Sequence, residues 1–355
     1  MEQFSLFGEK EKSTDWKWTM ANDYPKEKNG LKVFSCFACG GGSTMGYKLA
    51  GCEVVGCCEI DLKMNEVYKK NHKPKYNYLM DIREFNKLDD LPKELYNLDI
   101  LDGSPPCTTF SMAGDREDSW GKKKKFREGQ AEQTLDDLSF VFIDTVRKLT
   151  PKCVIMENVE GLLLGEAWSY VQRIYKEFDE AGYDLKHYLC KGENMGVPQK
   201  RHRVFFIAFR KDLKFDYDKL DMWFDYEPVT YQMIKQGIGR AITRKSKYYE
   251  ILKNANEKDK SIADTRVRTG EKGSSFQVYY VRQSDVLPTT RAKETDAIDM
   301  EQFAYLSHST IANAQTFPQD YDFDGKNICY ICGMSVPPVM IKRIVQRIIE
   351  TGVFD

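Results

Sequence analysis

The sequence predicts an α/β protein built on a mostly parallel β-sheet, with a second, smaller and irregular region. Apolar strand-like runs alternate with amphipathic helix-like stretches from Leu31 to Phe209, which is typical of βαβ units. A glycine-rich turn follows the first run, and an amphipathic stretch over Val339–Thr351 returns to the helical pattern. The strand-like runs are LKVFSCFA (31–38), CEVVGCCEI (52–60), LDILDG (98–103), CVIMENV (153–159) and RVFFIAF (203–209).

Two helices are predicted between these runs. Apolar residues recur at helical spacing from Val141 to Leu149, and Pro151 stops that helix. The next helix should run from about Ala167 to Ala181 and end at Gly182. Residues 1–30 are polar and lack sustained periodicity, so we expect a tail or strap. The domain boundaries that follow are 1–30, 31–211, 212–315 and 316–355, the last segment returning to the first domain.

The bulk composition bounds the class of protein. A chain of 355 residues with 41% hydrophobic content can bury a full α/β core and carry a smaller domain. No run approaches about 18 consecutive apolar residues, and the first thirty residues lack the pattern of a secretory signal. We therefore expect a soluble, cytoplasmic protein without a membrane span. Its ten cysteines are then expected to be reduced thiols rather than a disulfide framework.

Charge is spread unevenly along the chain. The net charge of −1 argues against indiscriminate coating of nucleic acid. However, Lys235–Arg291 contains 13 Lys and Arg residues against six Asp and Glu, whereas Asp212–Glu227 is acidic. The sequence therefore offers a local basic face with interspersed aromatic residues, a composition suited to phosphate contact and base-edge readout.

The glycine-rich turn spans Phe37 to Gly46 and lies between a strand and a helix. Such turns let the backbone approach a ligand closely, although a glycine-rich turn alone is a weak signal. Glu59 follows Gly42 by 17 residues, where a carboxylate can accept hydrogen bonds from ribose hydroxyls, and Asp81 offers a second carboxylate at the same edge. The alternative is that Glu59 and Asp81 only cap helices.

A cysteine behind two prolines is the strongest candidate nucleophile. Cys107 follows Pro105–Pro106 at the end of the LDILDG strand, on a rigid turn at the edge where α/β folds bind ligands. Glu157 ends the CVIMENV strand at the same edge. A cysteine and a glutamate without a nearby catalytic histidine argue against a papain-like protease.

These residues resemble the DNA cytosine-C5 methyltransferase family, and the resemblance extends over most of the chain. Its most specific signatures are Pro105-Pro106-Cys107 and Glu157-Asn158-Val159. The remaining ordered elements are Gln199-x-Arg201-x-Arg203, Gln315-Thr316-Phe317-Pro318 and Gly333-Met334-Ser335-Val336-Pro337-Pro338. Five ordered motifs coincide by chance far less often than one.

The resemblance implies a Rossmann-like fold that binds S-adenosyl-L-methionine and releases S-adenosyl-L-homocysteine, with a mixed, mostly parallel sheet in residues 31–211 and a smaller target-recognition domain in 212–315. The chain would flip a cytosine out of double-stranded DNA and act as a monomer. Arg201 and Arg203 would hold the base and the loop that carries Cys107. The cofactor-binding residues implied are Phe37, Ala38, Gly40, Gly42, Glu59, Ile60, Asp81, Ile82, Ser104, Pro106, Leu138, Ser335 and Val336.

The chemistry of cytosine agrees with these roles. Carbon 5 is a poor nucleophile, so a thiolate must first add to C6 while an acid protonates or hydrogen-bonds N3. Cys107 would supply the thiolate, and Glu157 the acid. After methyl transfer a base must remove the C5 proton before Cys107 is eliminated. No side chain is assigned to that step, which water can perform.

Candidate DNA contacts are weaker signals. The loop Thr108–Gln133 carries four consecutive lysines between glycines that can act as hinges, and in the family this loop closes over DNA. Four lysines are otherwise usually a solvated surface, and the arginines of the basic region can equally be structural. The implied DNA-binding residues are Ser111, Lys122, Lys123, Lys124, Lys125, Gln199, Arg240, Arg266 and Arg268.

Three positions depart from the family pattern. Cys39 stands where glycine is usual, and Met334 stands where asparagine is usual before Ser-Val-Pro. Uncharged Ser309, Thr310 and Asn313 replace the usual charged residues before Gln315. These changes put in doubt the detailed geometry of the cofactor pocket and the organisation of the small domain, rather than the reaction class.

Other interpretations stay open. A tRNA cytosine-C5 methyltransferase shares the catalytic motifs, because they do not read the 2′-hydroxyl. A non-catalytic DNA-binding module is disfavoured by Cys107 and Glu157, and a dehydrogenase by the lack of Gly-x-Gly-x-x-Gly. The spacing of Cys36-x-x-Cys39 and Cys329-x-x-Cys332 matches that of a four-cysteine zinc site. Packing thiols are the better interpretation, so no metal is expected. A separate cognate restriction endonuclease would be the partner if the enzyme belongs to a bacterial or phage restriction-modification system.

Overall fold

The computed structural model describes residues 10–106, 138–273 and 278–355, so Cys107, Ser111 and the four lysines 122–125 lie outside the described residues. The chain forms two compact units. The sheet unit comprises Asp23–Lys191, His202–Trp223 and Met340–Asp355. The second unit comprises the described part of Met1–Asn22 with Gly192–Arg201 and Phe224–Val339. The assignment of residues 212–315 to target recognition remains a prediction.

Strands and helices alternate through the sheet unit. The strands of the described residues are β1 (Lys32–Cys36), β2 (Glu53–Glu59), β3 (Tyr76–Leu79), β4 (Ile100–Gly103), β5 (Cys153–Val159), β6 (Tyr183–Lys191), β7 (Gln199–Lys200), β8 (His202–Arg210), β9 (Tyr279–Val281), β10 (Leu287–Pro288), β11 (Ala297–Asp299) and β12 (Ala304–Tyr305). The α-helices are α1 (Met20–Asp23), α2 (Gly42–Leu49), α3 (Leu62–His72), α4 (Ile82–Asn86), α5 (Leu138–Leu149), α6 (Trp168–Glu180), α7 (Tyr231–Ile234), α8 (Tyr249–Lys253), α9 (Ile262–Arg268), α10 (His308–Ala314), α11 (Ile328–Met334) and α12 (Pro338–Glu350).

One sheet organises the larger unit. Over the described residues it has seven strands in the order β3-β2-β1-β4-β5-β8-β6. The first five strands run parallel to one another, whereas β8 runs antiparallel to both β5 and β6. The predicted mixed, mostly parallel sheet is thus confirmed. Because parallel strands end at the same edge, the segments that follow β1 to β5 all leave from that edge.

Apolar side chains of the sheet and of α5 and α6 form the main core. Phe34 on β1, Phe142 on α5 and Phe178 on α6 are all fully buried in it. Both helices predicted for this region are confirmed, since α5 ends before Pro151 and α6 ends before Gly182, whose φ is 87°. Strand β6 was not predicted, because Asp184, Lys186 and other polar residues interrupt its apolar positions at the edge of the sheet.

The second unit contains shorter elements than the sheet unit. Strands β9, β11 and β12 form a small sheet, and β7 pairs with β10. Elements of two or three residues are too short to show periodicity, so this region was predicted to be irregular. In the N-terminal strap, the buried Trp18 donates from Nε1 to the carbonyl of Thr316 at 2.8 Å.

Residues Ile328–Glu350, found by a search of the described residues, are long and apolar enough by composition to cross a membrane. Their most apolar window is 72% buried, and the helix is interrupted between Met334 and Pro338. Buried core helices share this composition. The expected absence of a membrane span stays a prediction.

Candidate active site

The turn between β1 and α2 adopts a constrained backbone. Phe37, Cys39 and Gly41 have φ values of 57°, 47° and 85°, all in the left-handed region. A Cβ atom on Gly41 would lie 2.1 Å from Nε2 of His72, so this position has room only for glycine. The amide of Cys39 donates to Oε2 of Glu59 at 2.7 Å. The carboxylate at the end of β2 therefore holds the turn that follows β1.

The left-handed conformation explains why glycine suits position 39. A residue with a side chain at such a φ is strained by roughly 1–2 kcal/mol. Glycine removes this strain but increases the conformational entropy of the unfolded chain, which offsets part of the gain in stability. We expect Cys39→Gly to raise the free energy of unfolding by about 0.5–1 kcal/mol, measured by urea denaturation. Cys39→Ala, which removes the thiol but keeps a Cβ, should show no such gain. An equal gain in both variants would assign the effect to the thiol.

Acidic residues at the ends of β2 and β3 play different parts. Oε1 of Glu59 accepts a hydrogen bond from the amide of Asp61 at 2.8 Å, and burial raises the pKa of Glu59. Asp61, rather than Glu59, caps α3, so the capping alternative does not hold for Glu59. Asp81 does cap α4, accepting from the amide of Arg83 at 2.8 Å, and its contact with the cofactor stays a prediction.

These features fit the adenosyl and methionine parts of S-adenosylmethionine. The oxygens of Glu59 accept the amides of Cys39 and Asp61, and a carboxylate oxygen can accept more than one donor. Gly41 lets the turn pack closely against His72, and α2 begins at Gly42 without a side-chain cap, leaving amide donors at its first turn. The predicted cofactor residues at this edge are Phe37, Ala38, Gly40, Gly42, Glu59, Ile60, Asp81, Ile82, Ser104 and Pro106, and the buried Leu138 begins α5.

The end of β4 is fixed on two sides. A Cβ on Gly103 would lie 2.4 Å from the ring of Phe142, so this strand end packs directly against α5. Nδ2 of Asn158 donates to the carbonyl of Pro105 at 3.5 Å. The segment that leads to Cys107 is thus held from both α5 and the end of β5.

Glu157 and Arg203 form the central ion pair of this edge. Nε of Arg203 lies 2.7 Å from Oε1 of Glu157, and the two side chains are only 15% and 12% exposed. They are neighbours because β5 and β8 pair with Glu157 opposite Phe205 and Val159 opposite Arg203. In the register of β4 and β5, Gly103 is opposite Met156, so Glu157 comes one residue beyond that pair.

Asp102 is a buried acid that the sequence reasoning did not single out. Its carboxylate accepts hydrogen bonds from Ser35 Oγ at 2.6 Å and from Tyr47 Oη at 3.0 Å, and it is only 2% exposed. Burial, opposed by these hydrogen bonds, raises the pKa of Asp102 to about 7. The available signal was an acidic residue at the apolar end of a strand, directly before Gly103.

Gln199 and Arg201 belong to a buried network of the second unit. Nε2 of Gln199 donates to the carbonyl of Ala314 at 2.7 Å. The guanidinium of Arg201 donates to the carbonyls of Thr290 and Ser335. Gln199 is fully buried, so in this structure its side chain serves the packing of the unit rather than an exposed DNA-binding surface. Ser335 and Val336 are buried in the same unit.

The three arginines predicted to bind DNA all have acidic neighbours. Arg268 pairs with the buried Asp259 at 2.7 Å, Arg266 lies 3.6 Å from Glu271, and Arg240 lies 3.7 Å from Glu294. The guanidinium of Arg240 also stacks on the ring of Tyr305. Their structural interpretation therefore gains support from these contacts.

A basic turn that sequence reasoning missed precedes α8. Arg244, Lys245 and Lys247 are exposed, and among the described residues none of the three has an acidic partner within ion-pair distance. No acidic residue occurs between Lys235 and Tyr249, a signal that was available from the sequence. This turn is the better candidate for phosphate contact.

The other departures from the family pattern have structural counterparts. Asn313 donates from Nδ2 to the carbonyl of Ile234 at 3.0 Å, and Thr310 accepts from the amide of Gln236 at 2.9 Å. Neutral hydrogen bonds thus organise this part of the second unit, while Ser309 and Met334 are exposed. Within the described ranges, no three His, Cys, Asp or Glu side chains are arranged to hold a metal ion.

The fold defines a Rossmann-like α/β protein, and a buried acid–arginine pair lies where the parallel strands of its sheet end. Residues 31–350 match the C-5 cytosine-specific DNA methylase family, and the chain belongs to that family.

Relatives of this chain include type II methyltransferases. It is 33% identical over 217 residues to M.NgoPII of Neisseria gonorrhoeae, covering 59% of this chain and 58% of that one. It is 36% identical over 183 residues to M.FnuDI of Fusobacterium nucleatum, covering 52% and 48%. The chain thus spans about half the length of these relatives. It matches M.HindV of Haemophilus influenzae at 27% identity over 90% of this chain and 97% of that one.

Solved structures share the fold. A putative DNA modification methyltransferase encoded within an Escherichia coli prophage superposes with a TM-score of 0.63 at 21% identity, covering 90% of this chain and 99% of that one. A mutant of Spodoptera frugiperda DNMT2 gives 0.62 at 17% identity, covering 92% and 100%. At these identities the likeness concerns the fold alone.

Proposed function

We propose that the protein is a DNA cytosine-C5 methyltransferase that uses S-adenosylmethionine. The observation that carries the proposal is the Glu157–Arg203 pair, placed next to the strand that leads into Pro105–Pro106–Cys107. The C-5 cytosine-specific DNA methylase family supports DNA as the substrate, and the type II methyltransferases among the relatives support a restriction-modification setting. A separate restriction endonuclease would then cut the same sequence when it is unmethylated.

Each group of the strand edge has a part in this proposal. The carboxylate of Glu157 takes up a proton from solvent as the flipped cytosine binds. The thiolate of Cys107 then adds to C6, Glu157 passes that proton to N3, and the electron pair moves to C5. Arg203 orients Glu157 through their ion pair. When bound, S-adenosylmethionine supplies the methyl group that C5 accepts. Loss of the C5 proton to a base, with elimination of Cys107, restores the aromatic ring.

The cofactor would be held by the edge formed after β1, β2 and β3. Glu59 accepts the ribose hydroxyls, and the turn from Phe37 to Gly42, which packs against His72 at Gly41, presents its backbone to the ligand. Ile60 and Ile82 follow β2 and β3 as apolar contacts for the adenine. Glu59→Ala should therefore weaken binding of S-adenosylmethionine.

DNA would meet the basic region of the second unit. We assign phosphate contact to Arg244, Lys245 and Lys247, because they are exposed and have no acidic neighbours in the described part of the chain. Arg240, Arg266 and Arg268 would mainly stabilise the unit through Glu294, Glu271 and Asp259. The lysines 122–125 remain candidates from sequence.

Bisulfite sequencing of genomic DNA treated with the purified protein tests the proposal. We expect protected cytosines in one recurring sequence, and none after treatment with Cys107→Ala. A parallel reaction on tRNA addresses the alternative substrate, since the catalytic motifs do not read the 2′-hydroxyl. Modification of tRNA without modification of duplex DNA would contradict the assignment of DNA.

A further inference from the structure

Three hydroxyl groups surround the buried carboxylate of Asp102. Ser35 comes from β1, and Ser43 and Tyr47 come from successive turns of α2. Ser35 is directly opposite Asp102 in the register of β1 and β4. One acid therefore joins the strand that leads to Cys107, the strand that precedes the glycine-rich turn, and the helix that follows this turn.

This arrangement suits an ionised carboxylate. All the hydroxyl groups can donate hydrogen bonds to a carboxylate. A protonated carboxyl group must itself donate, so one of the hydroxyl groups would have to accept instead. Burial of this charge nevertheless carries a free-energy penalty, because Asp102 is only 2% exposed and has lost its contact with water. No cation offsets the penalty among the described hydrogen bonds and ion pairs. A buried uncompensated anion at a ligand-binding edge attracts a positively charged ligand.

We propose that Asp102 is a positioning residue that makes the cofactor site prefer a cationic ligand and that holds the first turns of α2 in place for it. The inference rests on the proposed function, because S-adenosylmethionine carries a sulfonium charge that S-adenosylhomocysteine lacks. Asp102 thereby favours the methyl donor over the product that must leave after methyl transfer.

Other titratable groups near Asp102 do not change charge near neutral pH. Tyr47 from α2, Tyr68 from α3 and Cys36 from β1 all have pKa values raised by burial well above their usual range, so they stay neutral. Glu157 from β5 adds a negative charge, which raises the pKa of Asp102 and is itself paired with Arg203. The pKa of Asp102, about 7, makes it the group of this cluster that ionises between pH 6 and pH 8.

The test measures binding of S-adenosylmethionine and S-adenosylhomocysteine by calorimetry at about pH 6 and pH 8. If the ionised form is the binding-competent one, wild-type affinity for S-adenosylmethionine should rise by up to about tenfold over this range. Asp102→Asn should remove most of that rise and lower the preference for the cationic ligand about three- to tenfold at pH 8. Titration of the ligands' own amino groups changes the affinity of wild type and Asp102→Asn equally, so it cancels when the two proteins are compared.

Two further variants separate electrostatics from structure. Tyr68→Phe removes a buried hydroxyl that bonds Thr44 of α2 at 2.8 Å but does not touch Asp102, so the preference should match wild type. Tyr47→Phe removes one donor to Asp102 and should lower the preference near pH 7, which keeps the test available if Asp102→Asn folds poorly.

The outcomes are distinguishable. If Asp102→Asn weakens both ligands equally, or leaves the preference and its pH dependence unchanged, the inference is wrong and the proposed function stands. A pH dependence that survives in Asp102→Asn would belong to another buried acid of this edge, such as Glu59, and would contradict the inference. If wild-type protein binds neither ligand, the proposed function fails and the inference fails with it.

Discussion

Replacing Glu157 with glutamine is expected to lower the rate constant of methyl transfer by about 10²–10⁴-fold, the range typical of general acid catalysis. Glutamine keeps the shape of the side chain but has no acidic proton to give to N3. Before the proton is taken up, it also lacks the carboxylate charge that pairs with Arg203 at 2.7 Å. Because Glu157 is not among the predicted cofactor-binding residues, the affinity for S-adenosylmethionine should change little.

The matched control is Glu160→Gln. Glu160 lies three residues further along the chain and pairs with His202 at 3.2 Å, but its side chain is 41% exposed. The same change of charge there should lower the rate less than tenfold. Single-turnover kinetics with labelled methyl donor measures both variants. Glu157→Gln with more than a tenth of wild-type activity would contradict the assigned role of Glu157.

Asp102→Asn is expected to flatten the pH dependence of stability. The folded protein holds the pKa of Asp102 at about 7, above the ordinary value of 3.8 that applies to the unfolded chain. Below about pH 4 both states are protonated and Asp102 imposes no penalty. As pH rises from about 4 to about 7, the unfolded chain ionises first, so wild-type stability falls; above that window the loss is constant at about 4 kcal/mol.

Urea unfolding of wild type and Asp102→Asn at several pH values measures this difference. The two curves should converge near pH 4 and diverge towards pH 8, with the variant more stable at the alkaline end. Asp144→Asn, at a side chain that is 59% exposed, controls for the general loss of a carboxylate. Curves for Asp102→Asn and wild type that run parallel across the whole range would contradict the raised pKa of Asp102.

The two effects predicted for Asp102 have opposite directions. Its buried charge lowers stability at pH 8, whereas the same charge favours the cationic cofactor over the product. Functional sites commonly keep groups that weaken the fold. A group placed to bind a ligand lacks that partner in the free protein, so its burial lowers stability there. The preference for the cationic cofactor would explain why an acidic residue is kept at the end of an otherwise apolar strand despite its cost in stability.

The sheet could be predicted from sequence because its central strands are buried on both faces. Runs such as LKVFSCFA and CVIMENV are mostly apolar, and their alternation with helices is enough to indicate a parallel sheet. Strand β6 escaped because it lies at the edge of the sheet, where polar residues alternate with apolar ones. Short strands such as β9 and β12 show no period at all.

Only the site residues that belong to short sequence motifs could be predicted. Cys107, Glu157 and Arg203 belong to motifs with fixed local spacing, and the ion pair of Glu157 with Arg203 agrees with their grouping. Two of the hydroxyl groups around Asp102 come from residues 67 and 55 positions away, so no local pattern marks the acid as buried. Likewise, a sequence does not distinguish Arg268, held by Asp259, from the exposed Arg244.

The most direct test of Cys107 as the nucleophile uses duplex DNA in which 5-fluorocytosine replaces the target cytosine. Fluorine at C5 cannot leave as a proton does, so the bond between Cys107 Sγ and C6 should persist after methyl transfer. With S-adenosylmethionine present, we expect a protein–DNA adduct that survives denaturation for wild type and for Cys39→Ala, and none for Cys107→Ala. An undiminished adduct with Cys107→Ala would contradict the assignment.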